Sequence, residues 1–427
     1  MKVALVNPPW TFDHSIYFGC REPHLPLEFG YARALLADAG HQVELIDAQM
    51  FGMSHSDVAA AVNGADMTVV TTAPSYLFWR CAPPELRVPQ QMLAALDGIG
   101  GHKVVVGPHV STSPRAALAK LPADIGVMGE CEETLVKIAA GAQDLPGTVT
   151  RQGGEIVVHG GPRAANVADH APLIWDDGTI ARHHHHHHRF EATPLGPGAE
   201  VEASRGCPFN CSFCAKENYR DAYRRRSVEA VLIEAAHLKA QGVEYIYFID
   251  EIFLPNAQLL HGLKNIGLKF GIQTRIDLWK PDAIALLGEA GCVSAECGVE
   301  SLTREGREAL DKRCKLSTDE LRDRLILARQ HVPFVQANLI EMPQDDDGMV
   351  ETWRQALRDE GVWANDPVPL FPYPGSPDYR RLWGVPDDQA WERAVTWYLE
   401  RYGAFSDIQD QQPLPLDALE GTSCARC

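Results

Sequence analysis

The sequence has no apolar run approaching the ~18 residues that a membrane-spanning helix needs. Its N-terminal MKVALVNPPW is interrupted by Pro8-Pro9, so it lacks the apolar core and cleavage site of a secretion signal. A cytoplasmic location is expected. Basic residues are in short supply: 39 Lys and Arg stand against 57 Asp and Glu, a formal net charge of −18. Such a chain has no broad positive surface for phosphate, which argues against a nucleic-acid partner. The one basic run, residues 220–226, is local, and Arg224 to Arg226 within it read as a solvated helix start or a clamp on acidic residues rather than as a substrate site. No internal repeat is evident, which excludes a solenoid. What is present is ordinary for a globular chain: 427 residues, 45% hydrophobic, enough for two or three domains with a substantial core. The eleven cysteines are expected as thiols or metal ligands, since disulfides are rare in a reducing compartment.

The expected fold class is α/β. Over residues 1–140, short β-rich runs at 2–6, 42–46, 67–71 and 103–106 alternate with helix-length segments such as 28–39. That alternation indicates βαβ units and an open parallel sheet of the Rossmann-like, flavodoxin-like kind. Gly107-Pro108 and Gly129-Glu130 follow apolar runs, where such a sheet places its ligand loops. Residues 141–199 are rich in Gly, Pro and Asp, carry six histidines at 183–188, and read as a linker with a small hairpin at 156–159. Adventitious metal binding is the default property of the histidine run, and exchanging it for Gly/Ser is expected to leave function unchanged.

Residues 200–377 are expected to form a partial (β/α)6 TIM-type barrel. Its strands are predicted at 201–204, 245–249, 269–274, 293–298, 334–340 and 368–371, with helices at 228–241, 281–290 and 318–330 among those between them. The site should lie at the C-terminal ends of those strands. Residues 378–427 form a small C-terminal segment, an aromatic helix at 389–402 and then a tail ending in Cys424 and Cys427. That pair is either a redox or ligand dithiol or part of a disordered tail.

The decisive stretch is Ser204-Arg205-Gly206-Cys207-Pro208-Phe209-Asn210-Cys211-Ser212-Phe213-Cys214, directly after the first strand of the second half. A CxxxCxxC loop lets three thiolates converge on three corners of one cubane iron-sulfur cluster, and the missing fourth ligand leaves one iron open. The competing reading is a structural zinc site completed by a further Cys or His, with the histidine run, Cys424 and Cys427 as candidates. Cys292, Cys297 and Cys314 read as buried or spare thiols.

In this context the sequence resembles the radical S-adenosylmethionine superfamily, specifically its members with an N-terminal cobalamin-binding-type domain, over roughly residues 1–380. The resemblance implies a [4Fe-4S] cluster on Cys207, Cys211 and Cys214 whose open iron binds S-adenosylmethionine. It implies that Phe213 packs near the adenine and that Asp250 and Glu251 lie where acids contact the amino group. Arg275 and Asp277 match a polar pair at the end of the third strand. Glu300 and Ser301, in Gly298-Val299-Glu300-Ser301, fall near the ribose and carboxylate, and Pro372-Tyr373-Pro374-Gly375-Ser376-Pro377 matches a family turn. In the first domain, Ser75, Leu77, Gly107 and Glu130 match elements around cobalamin. The Asp-x-His-x-x-Gly segment that supplies a lower axial histidine is absent, Pro108 replaces the usual second glycine, and His109 reads as a loop histidine.

The function so implied is cobalamin-dependent C-methylation of a small molecule, with an external electron donor such as flavodoxin or ferredoxin. Other readings are a non-methylating radical dehydratase, epimerase or cyclase with a vestigial cobalamin domain, and a non-catalytic iron-sulfur or zinc protein. Protein prepared without oxygen is expected to hold about four iron and four sulfide. Ala at Cys207, Cys211 and Cys214 together should remove both, as elemental analysis would report; a triple variant that kept its iron and sulfide would end this reading.

Overall fold

The structure is a computed structural model describing all residues except 17–22, 76–81, 184–195, 217–219, 221, 403–411 and 422–427. Leu77, Cys424, Cys427 and the histidines at 184–188 therefore lie outside the described residues. The chain forms two compact units: Met1–Asn166 with Ala215–Asp221 and Phe371–Cys427, and Val167–Cys214 with Ala222–Leu370.

In the first unit, β1 (Lys2–Asn7), β2 (Gln42–Asp47), β3 (Met67–Thr71), β4 (His102–Val106) and β5 (Ile125–Val127) are parallel. Their order is β2-β1-β3-β4-β5, the flavodoxin-like order, with its topological switch point between β1 and β3. All of β3 is buried, as expected of an apolar strand with both faces covered. Two antiparallel strands, β6 (Thr148–Gln152) and β7 (Glu155–His159), extend the sheet past β5. The stretch expected as linker thus begins with a hairpin longer than foreseen, and that hairpin belongs to the first sheet.

In the second unit, β8 (Gly198–Val201) is followed by a two-stranded ribbon, β9 (Ser204–Arg205) against β10 (Arg224–Arg225). Then come β11 (Tyr245–Phe248), β12 (Lys269–Thr274), β13 (Cys292–Glu300), β14 (Phe334–Leu339) and β15 (Trp363–Ala364). With β8 these form a six-stranded parallel sheet in sequential order, as a partial barrel requires.

Two strand boundaries differ from expectation. The first barrel strand ends at Val201, because the chain turns at residues 202–203 and pairs residues 204–205 with 224–225 instead. The sixth strand is Trp363–Ala364, whereas Val368 makes only an isolated bridge to Ile340. Pro367, Pro369 and Pro372 explain this, since proline brings no N–H to a ladder.

The first histidine of the run is not a linker residue. His183 is fully buried, its Nδ1 lies 2.7 Å from the Gly198 carbonyl oxygen and its Nε2 3.4 Å from Glu200 Oε2. The basic run is likewise drawn inward: Arg220 and Arg226 are buried, and Arg226 donates to Glu234 Oε2 at 2.9 Å and to the Glu202 carbonyl at 2.7 Å. The clamp reading holds for Arg226, not the solvated one.

The helix Leu27–Asp38 of the first unit has no side-chain N-cap. Instead the Leu27 N–H donates to Ser75 Oγ at 3.2 Å, and that hydroxyl donates to Glu28 Oε2 at 2.8 Å. Burial pushes the Glu28 carboxyl up to about 7. Because the folded-state value is raised, the stability that neutral Glu28 contributes is complete below the ordinary carboxyl range. It is lost as pH climbs toward about 7. Glu28→Gln keeps an acceptor for Ser75 and should flatten this dependence. Its melting temperature should match wild type near pH 4 and exceed it by about pH 8, with a ceiling on the order of 3 kcal/mol. Parallel melting curves across that range would contradict the assignment.

Candidate functional site

The cysteine loop leaves the carboxyl edge of the second sheet. Gly206, at φ +76°, turns the chain into it, and the Gly206 N–H donates to Glu251 Oε2 at 2.8 Å. Asp250 accepts from the Ala203 N–H at 2.8 Å with one oxygen and from the Ser204 hydroxyl with the other. Burial pushes Asp250 up to about 7. Further along, the Cys214 N–H donates to the Cys211 carbonyl at 3.1 Å and the Ser212 N–H to the Leu310 carbonyl at 2.9 Å. Cys207, Cys211, Phe213 and Cys214 are all half-buried, so the loop is fixed while its side chains stay accessible.

Burial pushes the Cys211 thiol up, while Lys312 and Arg275 pull it toward the thiolate. Each cation has its own carboxylate. Lys312 Nζ lies 2.9 Å from Glu300 Oε1. Arg275 grips Asp277 with two hydrogen bonds, of 3.1 and 2.8 Å, and lies over the Phe209 ring at 4.1 Å. The Arg275 Nη1 has no partner among the described residues. A loop of three thiols, with two buried cations acting on the middle one, Cys211, fits a thiolate-held, anionic cluster. Among the described residues no three His, Cys, Asp or Glu side chains gather closely enough for one metal ion. Ligands of a single zinc must share one centre, whereas thiolates on separate corners of a cubane stand further apart.

Glu300 sits at φ +69° where the β13–β14 register shifts, a backbone state that non-glycine residues seldom occupy. Ser301 donates to Asp345 Oδ1 at 2.8 Å. The structure thus gathers Phe213, Asp250, Glu251, Arg275, Glu300 and Ser301 in the second unit. Asp250 and Glu251 hold backbone, and Ser301 is engaged with Asp345. Sequence reasoning missed Lys312 and Asp345, which lie in polar stretches without a motif and gain meaning only through these long-range pairs. Cys292 and Cys297 are buried and Cys314 is half-buried.

In the first unit, Ser75, Gly107 and Glu130 all follow strands at the carboxyl edge. Ser75 is engaged with Glu28. Glu130 accepts from the Ala165 N–H at 2.7 Å, and its other oxygen lies 3.9 Å from Arg220 Nε. Gly129, at φ +82°, is needed because a Cβ there would come within 2.2 Å of the Arg163 carbonyl oxygen. Gly107, at φ +132°, precedes the helix Pro108–Thr112. His109 is buried and stacked on Trp391 at 4.4 Å, and burial drives it down to about 3, so it is neutral. Thr72, at the end of β3 beside the switch point, is buried, and its hydroxyl has no partner among the described residues. An unsatisfied buried hydroxyl there fits a ligand at the sheet's carboxyl edge.

Residues 201–356 match the Radical SAM superfamily. Among curated proteins, an uncharacterized methyltransferase of Pyrococcus horikoshii is 25% identical over 73% of this chain and 68% of its own length. Hopanoid C-3 methylase of Methylococcus capsulatus is 27% identical over 88% and 71%. The solved structure of TsrM, a radical S-adenosylmethionine methyltransferase from Kitasatospora setae with cobalamin and a [4Fe-4S] cluster bound, aligns with a TM-score of 0.66. It is 17% identical and covers 88% of this chain and 76% of that one. OxsB, a cobalamin-dependent S-adenosylmethionine radical enzyme with aqua-cobalamin bound, aligns at 0.65 with 18% identity over 89% and 60%. Residues 201–356 thus match the radical S-adenosylmethionine domain, and the two-sheet architecture shares its fold with the solved cobalamin-dependent enzymes TsrM and OxsB.

Proposed function

We propose that this enzyme is a cobalamin-dependent methyltransferase that places a methyl group on an unactivated carbon of a small molecule. The observation that carries the reading is the cysteine loop on the first strand of the second sheet, beside Lys312 and Arg275, in a chain whose first sheet has flavodoxin order. When bound, the cluster and S-adenosylmethionine supply a hydrogen-abstracting 5′-deoxyadenosyl radical, and cobalamin supplies the methyl group.

In this reading Cys207, Cys211 and Cys214 hold the cluster, and Phe213 packs against the adenine. Arg275, through its unpartnered Nη1, meets the S-adenosylmethionine carboxylate, while Glu300 and Ser301 lie at its ribose and carboxylate end. Asp250 and Glu251 are positioning residues that fix the loop backbone. Thr72, Ser75, Gly107 and Glu130 line the cobalamin loops. The electron donor is an external protein such as flavodoxin or ferredoxin, and a reducing cytoplasm suits an exposed cluster and free thiols. No described helix is long and apolar enough to cross a membrane.

The test is incubation of reconstituted protein with hydroxocobalamin, a reductant and methyl-labelled S-adenosylmethionine. Cobalamin should co-elute with the protein, and S-adenosylhomocysteine should form only when it is bound. The triple cysteine variant should keep cobalamin and lose 5′-deoxyadenosine. Intact 5′-deoxyadenosine formation without any cobalamin binding would replace this reading with a non-methylating dehydratase, epimerase or cyclase.

A further inference from the structure

The chain is strongly acidic, with a net charge of −18, yet the loop beside the cysteine loop is not. Residues 311–315 read Asp-Lys-Arg-Cys-Lys. The residue before them, Leu310, takes the 2.9 Å hydrogen bond from the Ser212 N–H, one position past Cys211. Asp311 and Arg313 both adopt positive φ, 51° and 52°, a state held only where surrounding structure imposes it. Between them Lys312 is 1% exposed and turned in on Glu300. Arg313 and Lys315 are exposed and make no ion pair with any described residue. Lys264, Arg304 and Arg322 of this unit are paired with carboxylates, and Lys269, which is exposed and has no ion pair with a described residue, begins β12 at the edge of the sheet opposite the cysteine loop.

We propose that Arg313 and Lys315 form the docking surface for a small acidic one-electron carrier protein; this rests on the reading of the cysteine loop as a cluster loop. Electron transfer weakens steeply with distance, so a carrier must approach the surface nearest the cysteines. An acidic carrier is repelled by a chain of this net charge and needs a local attractor there. Unpaired cations on the loop that follows Leu310, whose carbonyl holds the Ser212 N–H, provide one. In each encounter the carrier is oxidised by one electron and the cluster reduced by one. That electron then enters the sulfonium of S-adenosylmethionine, whose S–C5′ bond breaks to give methionine and the deoxyadenosyl radical.

The test compares 5′-deoxyadenosine formation by the reconstituted enzyme with dithionite and with reduced flavodoxin, regenerated by NADPH and its reductase. The paired reversal Arg313→Glu with Lys315→Glu should run near the wild-type rate with dithionite. With flavodoxin at low salt it should fall about tenfold, the gap closing as salt screens the charges. The milder Arg313→Gln with Lys315→Gln should lose less. Lys264→Glu with Lys269→Glu, an equal charge change elsewhere, should leave both rates unchanged. An undiminished flavodoxin rate overturns the proposal, as does an equal loss in the Lys264/Lys269 variant, which would reflect net charge alone. Loss with dithionite too, in both the Glu and Gln pairs, overturns it by giving the loop a structural role. If wild type forms no 5′-deoxyadenosine with either reductant, the cluster reading itself fails and the docking proposal falls with it.

Discussion

Neighbouring carboxylates at the end of β11, Asp250 and Glu251, grip the backbone that leads to the cysteines. Consecutive residues leaving a strand point to opposite sides, so two adjacent acids can serve two separate points of one turn. Asp250 takes the Ala203 N–H and the Ser204 hydroxyl, and Glu251 takes the Gly206 N–H. A buried acid is tolerated when its oxygens are hydrogen-bonded, and both Asp250 oxygens are. Much else hangs from this grip: the β9–β10 ribbon, the left-handed turn at Gly206, and the placing of Phe209 under Arg275.

Most buried cations of the second unit come with a carboxylate, Arg307, held by carbonyls and the Thr318 hydroxyl, being an exception. Lys312 has Glu300, Arg275 has Asp277, Arg205 has Glu202 and Arg226 has Glu234. Removing such charges from water is costly, and pairing offsets much of the cost, so these pairs specify geometry more than they add stability. Near the cysteines the pairing has a further effect. Lys312 and Arg275 bring positive potential to Cys211 while each is already matched, leaving charge balance near the thiols to be completed by what they bind.

The sequence made the cysteine loop legible, because thiol spacing is local and survives any uncertainty about strand ends. The parallel sheets were legible from alternating apolar runs, and so was Gly298-Val299-Glu300-Ser301 at the end of β13. Residues whose meaning depends on distant partners were not. Ser75 was assigned to a ligand loop from its neighbours in the chain, but its hydroxyl serves Glu28, 47 positions away. Glu130 serves Ala165, at a separation of 35. His183 looked like part of a featureless run until β8 provided Gly198 and Glu200 around it. Apolar character at 368–371 suggests a sixth strand, but Pro367, Pro369 and Pro372 interrupt its ladder and the strand forms at Trp363–Ala364 instead.

The first unit is assembled from both ends of the described chain. Lys120 reaches Glu392 and Glu420, and the Leu86 N–H donates to Glu420 Oε1. The second unit is therefore an insertion within the first, and synthesis delivers the pieces in an awkward order. The flavodoxin-like sheet is synthesised before the second unit but lacks the helices Ala390–Tyr402 and Leu416–Glu420 until after it. Its apolar flank must wait, exposed, while the partial barrel is made, so a nascent-chain chaperone has a defined window in which to act.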